Sequence, residues 1–150
     1  MRIGLISDTH NLLRPEVLAY LRGSDHILHA GDICGDAVLQ ELARIAPLTA
    51  VRGNNDHGAW AERLQEREHV RLGGVTILVV HDLADLRRAP DTGGAVVVVT
   101  GHSHQPRVEE RDGVLYVNPG SAGPRRFKLP ISAGELIVQD GRATAHLVTF

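Results

Sequence analysis

The sequence predicts an α/β domain, and three observations predict it. Strand, loop and helix signals alternate over the first third of the chain, strand pairs joined by tight turns follow, and the composition is that of a chain with an ordinary globular core.

Arg2–Ile6 is a short run of β type that ends at Ser7-Asp8. Pro15 then opens an amphipathic stretch in which Val17, Leu18 and Leu21 share a face, because proline fits the first turn of a helix. His26–His29 repeats the strand signal before Ala30-Gly31-Asp32. Asp36 is placed to cap a second helix, with Val38, Leu39, Leu42 and Ile45 on its buried side. A third strand over 48–51 runs into Gly53-Asn54-Asn55-Asp56, where the parallel half is expected to end. Three hairpins are expected next: 70–72 with 75–80 about Gly73-Gly74, 108–111 with 114–117 about Asp112-Gly113, and 131–138 with 143–148 about Asp140-Gly141. Between the first two lie a helical segment over 83–89, ended by Pro90, and a buried-strand run over 95–99. No repeat or low-complexity tract interrupts the pattern, so residues 1–150 are read as one domain.

Hydrophobic residues at 43% give enough apolar surface to offset chain entropy. Aromatic residues at 3% leave few platforms for stacking bases, and a formal net charge of -2 lacks the cationic excess that a phosphate backbone requires. Nucleic acid is therefore not the expected partner. Cys34, the single cysteine, has no intrachain disulfide partner, and the opening Met1-Arg2-Ile3-Gly4 has no secretory pattern, which together predict a reducing, cytoplasmic setting. The aliphatic run over 95–99 is far short of the roughly 20 residues that cross a bilayer, so no membrane association is expected.

Chemistry-bearing side chains stand just beyond predicted strands: Asp8 and His10, then Asp32, Asn54, His81, and His102 with His104. Ligands of open α/β sheets bind at the carboxyl ends of strands, so these residues should converge although they are distant in sequence. Gly31, Gly53 and Gly101 precede Asp32, Asn54 and His102, and a residue without Cβ permits the sharp reversal such loops need. Seven donors exceed one tetrahedral zinc ion but suit two ions sharing a carboxylate. Mixed imidazole, carboxylate and amide donors favour transition metals over calcium, and manganese, iron, zinc and nickel all suit them, manganese being the expectation carried forward. Two such ions about 3.5–4 Å apart activate a shared water as hydroxide and clamp the oxygens of an in-line displacement at phosphorus. A small phosphate ester is the expected substrate.

Each motif alone has a plainer reading. Gly31-Asp32 and Gly53-Asn54 are ordinary turn dipeptides, and His81 alone reads equally as a core histidine. His26, His29, His57, His69 and His146 are given no metal, His29 being read as structural. Cys34 is read as a small buried hydrophobe, and Arg125 and Arg126 as solvated surface cations.

The order DxH, GD, GN, a lone His and GHxH resembles the calcineurin-like metallophosphoesterases over most of the chain. Asn118-Pro119-Gly120-Ser121 and the Gly-Asn-x-Asp form of the third motif are similar to the small bacterial and archaeal phosphodiesterases of that superfamily. The resemblance implies a four-layer αββα sandwich and, as substrate, a diester before a monoester. It also implies one ion held by Asp8, His10, Asp32 and His104 and another by Asp32, Asn54, His81 and His102, with Asp32 as the bridge. Asn55 stands where many relatives have a histidine, Gly35 where many have a second acid, and Asp82-Leu83 follow His81 where relatives often have glycine. Asn55 is therefore expected on the leaving-group side without a proton to give, which predicts a preference for good leaving groups. The alternatives are a protein-binding scaffold of the same fold, as in a retromer subunit, and a nuclease; a homo-oligomer is compatible with either or with the enzyme.

Overall fold

The computed structural model describes residues 1–88 and 92–150. Its strands are β1 (Arg2–Ile6), β2 (His26–His29), β3 (Leu48–Ala50), β4 (Arg67–Leu72), β5 (Val75–Val80), β6 (Val97–Val99), β7 (Arg107–Arg111), β8 (Val114–Asn118), β9 (Ser132–Gln139) and β10 (Arg142–Thr149). Its helices are α1 (Pro15–Leu21), α2 (Asp36–Ala43), α3 (Ala59–Glu62) and α4 (Leu83–Arg88). The end expected for α4, at Ala89 and Pro90, lies outside the described residues.

Two five-stranded sheets form, in the orders β10-β9-β1-β2-β3 and β4-β5-β6-β8-β7. Alternation along β1 explains their stacking. Ile3 and Leu5 join Leu28, Ile77, Val79, Val97, Val99 and Leu136 in the core between the sheets. Ile6 points the other way and packs with Val17 and Leu21 of α1 and Val38 and Leu42 of α2. Gly4 lets α1 approach, since a Cβ there would meet Leu21 Cδ2 at 2.7 Å. On the far side Leu78, Val80 and Val98 pack with Leu86 of α4. The layers are thus helix, sheet, sheet, helix, the four-layer sandwich that the family resemblance implied.

Three local expectations are corrected. Gly35, not Asp36, is the N-cap of α2; Asp36 is its first residue and accepts from Gln40 Nε2 at 2.7 Å instead. Parallel pairing does not end with β3, because β5, β6 and β8 pair in parallel within the second sheet. The hairpin signals of β4 with β5 and β7 with β8 build the edges around that centre. The last hairpin returns to the first sheet, where β9 lies antiparallel to β1. The short helix α3 was not foreseen; four residues are too few for a periodic signal. Among the described residues no helix is long and apolar enough to cross a membrane.

Candidate metal centre

Each parallel strand that ends at the centre of the molecule delivers a polar loop. The loop after β1 carries Asp8 and His10, that after β2 Asp32, that after β3 Asn54, that after β5 His81, and that after β6 His102 and His104. The loops hold one another: Asp8 N–H donates to Gly31 O, His10 N–H to Asp32 O, and Gly101 N–H to His81 O. Under that mutual bonding Asp8, His10, Asp32, His102 and His104 adopt φ between 45° and 71°, a left-handed conformation that costs non-glycine residues about 1–3 kcal/mol each.

The structure brings all seven predicted donors together. His10 Nε2 lies 3.4 Å from His104 Nε2 and 3.7 Å from Asp32 Oδ2, and His104 Nε2 lies 3.3 Å from Asp8 Oδ1. On the other side His81 Nε2 lies 3.4 Å from Asp32 Oδ2 and 3.0 Å from Asn54 Oδ1, which is 3.2 Å from His102 Nδ1. Donors bound at about 2.1 Å stand roughly 3.0 Å apart at right angles and roughly 3.4 Å apart in a tetrahedron, so these separations are compatible with donors around a cation. Asp8, His10 and His104 form one compact donor triad, and Asp8, Asp32 and His81 a second. Asp32 Oδ2 is nearly equidistant from His10 and His81, so it faces both triads.

Hydrogen bonding fixes which atoms face inward. Asp8 Oδ2 accepts from Ser7 Oγ at 2.7 Å and from His102 N–H at 3.0 Å, while the buried Oδ1 has no hydrogen-bond partner among the described residues. His81 Nδ1 lies 2.7 Å from Ala30 O, an acceptor only, so Nδ1 carries a proton and donates it. Nε2 of the neutral ring is then a lone pair facing the lone pairs of Asn54 and Asp32. A second proton on the ring, or a cation in front of it, relieves that opposition. Burial opposes protonation of His81, yet Asp32, Asp8 and the Ala30 carbonyl outweigh it and raise its pKa above the ordinary value.

The charges are set by the same neighbours. Burial would raise the Asp8 carboxyl, but His104, His81 and Ser7 overcome it and hold its pKa below the usual range. Asp32 is likewise lowered, against burial, by His81 and by two N–H groups of Asn55. Burial lowers His10 against the pull of Asp32 and Asp8. Both carboxylates are thus ionised, and His10 stays neutral and able to ligate.

The glycines act chiefly through space. Gly31 does take a left-handed φ of 100°, as the turn argument requires. At Gly53 a Cβ would collide with the Asp32 carboxylate and backbone N, and at Gly101 with Ser7 Oγ and Asp8 Oδ2. Loops can close on the donors only because these Cβ atoms are missing.

Asn55 is not free for a leaving group. Its backbone N–H donates to Asp32 Oδ1 at 2.9 Å and its Nδ2 to Asp32 Oδ2 at 2.9 Å. Cys34 Sγ lies 3.6 Å from His10 Nδ1, and burial with the nearby Asp56, Asp32 and Asp8 carboxylates pushes its pKa up to about 11, so it remains a thiol. Arg126, read from sequence as a surface cation, is exposed, and its charge is felt at His10 and Cys34.

Three braces hold these loops; Asp56 and Asn118 were missed in the sequence, whereas His29 was read as structural. His29 is fully buried; its Nδ1 accepts from Gly31 N–H at 3.1 Å, which leaves Nε2–H to donate to Thr9 Oγ1 at 3.0 Å. Asp56 accepts from Cys34 N–H and from Gly53 N–H, both at 2.8 Å. Asn118, at the end of β8, donates to Gly101 O and Ser103 Oγ and so holds the loop of His102 and His104. Asn118 did carry a signal, standing just past a strand as the ligand-type residues do.

A four-layer αββα sandwich with carboxylate, amide and imidazole donors gathered at its strand ends defines the metallophosphoesterase class, hydrolases of phosphate esters that use divalent metals. The chain belongs to the calcineurin-like phosphoesterase superfamily, whose domain profile matches residues 1–141. It is 39% identical over 141 residues to a probable metallophosphoesterase of Methanothermobacter thermautotrophicus, an alignment covering 87% of this chain and 82% of that one. A solved archaeal phosphodiesterase superposes with a TM-score of 0.81 at 25% identity, covering 99% of this chain and 100% of that one. Vps29 of Entamoeba histolytica, solved in complex with zinc, superposes with a TM-score of 0.78 at 22% identity over 99% of each chain, a likeness of fold alone.

Proposed function

We propose that the chain is a phosphodiesterase working with two divalent transition-metal ions, manganese first. Asp8, His10, Asp32 and His104 would hold one, and Asp32, Asn54, His81 and His102 the other. The observation that carries this reading is the convergence of His81 Nε2 on Asn54 Oδ1 at 3.0 Å and Asp32 Oδ2 at 3.4 Å. When bound, such ions supply Lewis acidity and lower the pKa of water enough for attack on phosphorus at neutral pH.

The protein's own groups do the rest. Asp8 Oδ2 is tied to Ser7 and His102, so its other oxygen is aimed inward before any ligand arrives. Asn55 pins both oxygens of Asp32. With its amide engaged there and no titratable proton, Asn55 offers no general acid, a contribution worth about 10²–10⁴-fold where it exists. Substrates with good leaving groups are therefore preferred.

Two cavities open beside the donors and support a substrate with two organic arms. One of about 300 Å³ is lined by His102, the other of about 340 Å³ by Asn54. The net charge of -2 and the scarcity of aromatic residues favour a small diester over nucleic acid. A scaffold role gives no reason for burying Asp8 Oδ1 without a hydrogen-bond partner beside a second carboxylate and three imidazoles.

The test is hydrolysis of p-nitrophenyl phosphate and bis(p-nitrophenyl) phosphate by chelator-stripped protein, with each divalent ion restored in turn. Diester turnover should return with manganese at about two ions per chain; a stripped protein as active as the restored one would sink the reading. Over a series of aryl diesters the rate should fall steeply with leaving-group pKa, and Asn55→His should flatten that slope.

A further inference from the structure

The two outer faces of the sandwich are covered unequally. The first sheet lies under α1 and α2, with Trp60 of α3 packed on the same cluster. The described part of the helix on the second sheet, α4, is six residues long and packs chiefly on β5 and β6 through Leu78, Val80 and Val98. Val114 and Tyr116 of β8 flank that cluster, and beyond them the outer face of β7 and β8 forms the wall of the cleft beside His102.

Pairing register places that wall relative to the donors. Asn118, bonded to Gly101 O and Ser103 Oγ, marks the end of β8 at the metal centre. Tyr116 is two residues back on the same face, roughly 7 Å along the strand. Glu109 is its direct partner across β7, and Arg107 and Arg111 flank Glu109 on that face. Glu109 takes an ion pair from each, at 3.0 Å from Arg107 and 3.6 Å from Arg111. The Arg111 guanidinium stands over the Tyr116 ring, 5.0 Å from its centroid.

Tyr116 is thus a half-buried ring on the cleft floor, one pleat repeat from the loop of His102, with the Glu109 carboxylate beside it and the half-exposed Arg111 guanidinium lying over one face. Such a floor suits a flat ring with hydrogen-bonding edges better than an alkyl chain, which could not use the edge groups. Two guanidiniums sharing one carboxylate keep N–H groups for a further acceptor.

Resting on the phosphodiesterase reading, we propose that this cleft is the subsite for one arm of the diester, and that the arm carries a planar, hydrogen-bonding aromatic ring that stacks on Tyr116 in place of the exposed Arg111 guanidinium, which moves to the ring's edge. Tyr116 is then a specificity residue. It contributes to affinity through its ring and leaves the metal centre untouched.

The test uses the full chain restored with manganese and assayed on bis(p-nitrophenyl) phosphate. Tyr116→Leu should raise KM about tenfold with kcat within about twofold, and Tyr116→Phe should match the parent, because stacking needs the ring and not the hydroxyl. Manganese binding isotherms of all three should coincide. As a measurement that needs no variant, a nonhydrolysable diaryl phosphonate added to the zinc-loaded parent should shift the Tyr116 ring resonances and leave those of Tyr20 in place. An unshifted Tyr116 resonance, or equal KM for the Leu and Phe variants, overturns the subsite while metal-dependent diester hydrolysis by the parent still stands. A parent that binds manganese and hydrolyses no diester fails at the earlier step and takes the subsite down with it.

Discussion

Left-handed backbone means something different in the hairpin turns of this molecule and at its strand-end donors. In the hairpin turns Asp112 and Asp140 have φ of 52° and 54° and are followed by Gly113 and Gly141 at 79° and 73°. The twist of paired strands asks for that turn, Asp-Gly supplies it locally, and a Cβ at either glycine would meet nothing within 4 Å. At the strand ends of the metal centre the same conformation falls on Asp8, His10, Asp32, His102 and His104, and neighbouring loops impose it. Strain in the hairpins is local and relieved by glycine. Strain at the centre is held by loops distant in sequence, so disturbing one loop should be felt in the others.

The largest effect should come from removing the oxygen between the two halves. Asp32→Ala takes away the group nearly equidistant from His10 and His81 and frees Asn55 at once. Metal content should drop from about two ions per chain, and kcat/KM should fall by more than about 10²–10³-fold, the loss typical of one preorganised charged group. Retention of both ions by Asp32→Ala would break the comparison. Gly53→Ala comes next. Its Cβ would collide with Asp32, so the protein should lose about 1–3 kcal/mol from overpacking and bind manganese more weakly, although residue 53 is no ligand. Chemical unfolding and a manganese titration read the two effects separately.

The same contrast explains what the sequence made legible. Hairpins are written in adjacent residues, and Gly73-Gly74, Asp112-Gly113 and Asp140-Gly141 all turn where expected. Donor positions were legible because each follows a run of β-branched or aliphatic residues, and strand ends are where α/β sheets place ligands. Long-range partnership was not legible. Nothing near residues 131–148 announces that β9 returns to pair with β1, or that β5, β6 and β8 run parallel, because those choices depend on which faces are left to bury. The bonding of the braces Asp56 and His29 was hidden for a related reason. Their bonds go to backbone N–H groups or a hydroxyl, and no spacing rule marks such partners.

His29 offers a gentler probe of the coupling between loops. Burial drives its pKa down to about 3, so the folded protein keeps it neutral while the unfolded chain takes up a proton near pH 6.5. Its contribution to stability is therefore complete above about pH 6.5 and is lost as pH falls from there toward about 3. The loss is at most about 1.4 kcal/mol per pH unit for one proton. Urea unfolding in chelator, with His29→Gln as the control, should show a shallower dependence in the variant between pH 6.5 and 4.5. Parallel curves would mean that the ring is protonated without opening the loops of Thr9 and Gly31.

The smallest effect belongs to the hairpins and is the sharpest control. Gly113→Ala puts a Cβ into open space at φ 79°, so the penalty is that of a left-handed alanine, partly offset by a less flexible unfolded chain, about 1 kcal/mol in all. No hydrogen bond ties the turn of residues 112 and 113 to a strand-end loop among the described residues. Manganese affinity and kcat/KM should therefore equal those of the parent at temperatures where both are folded. A fall in metal affinity with Gly113→Ala would show that strain spreads along β7 and β8 to the loop Asn118 holds, and the two regions would then be one coupled unit.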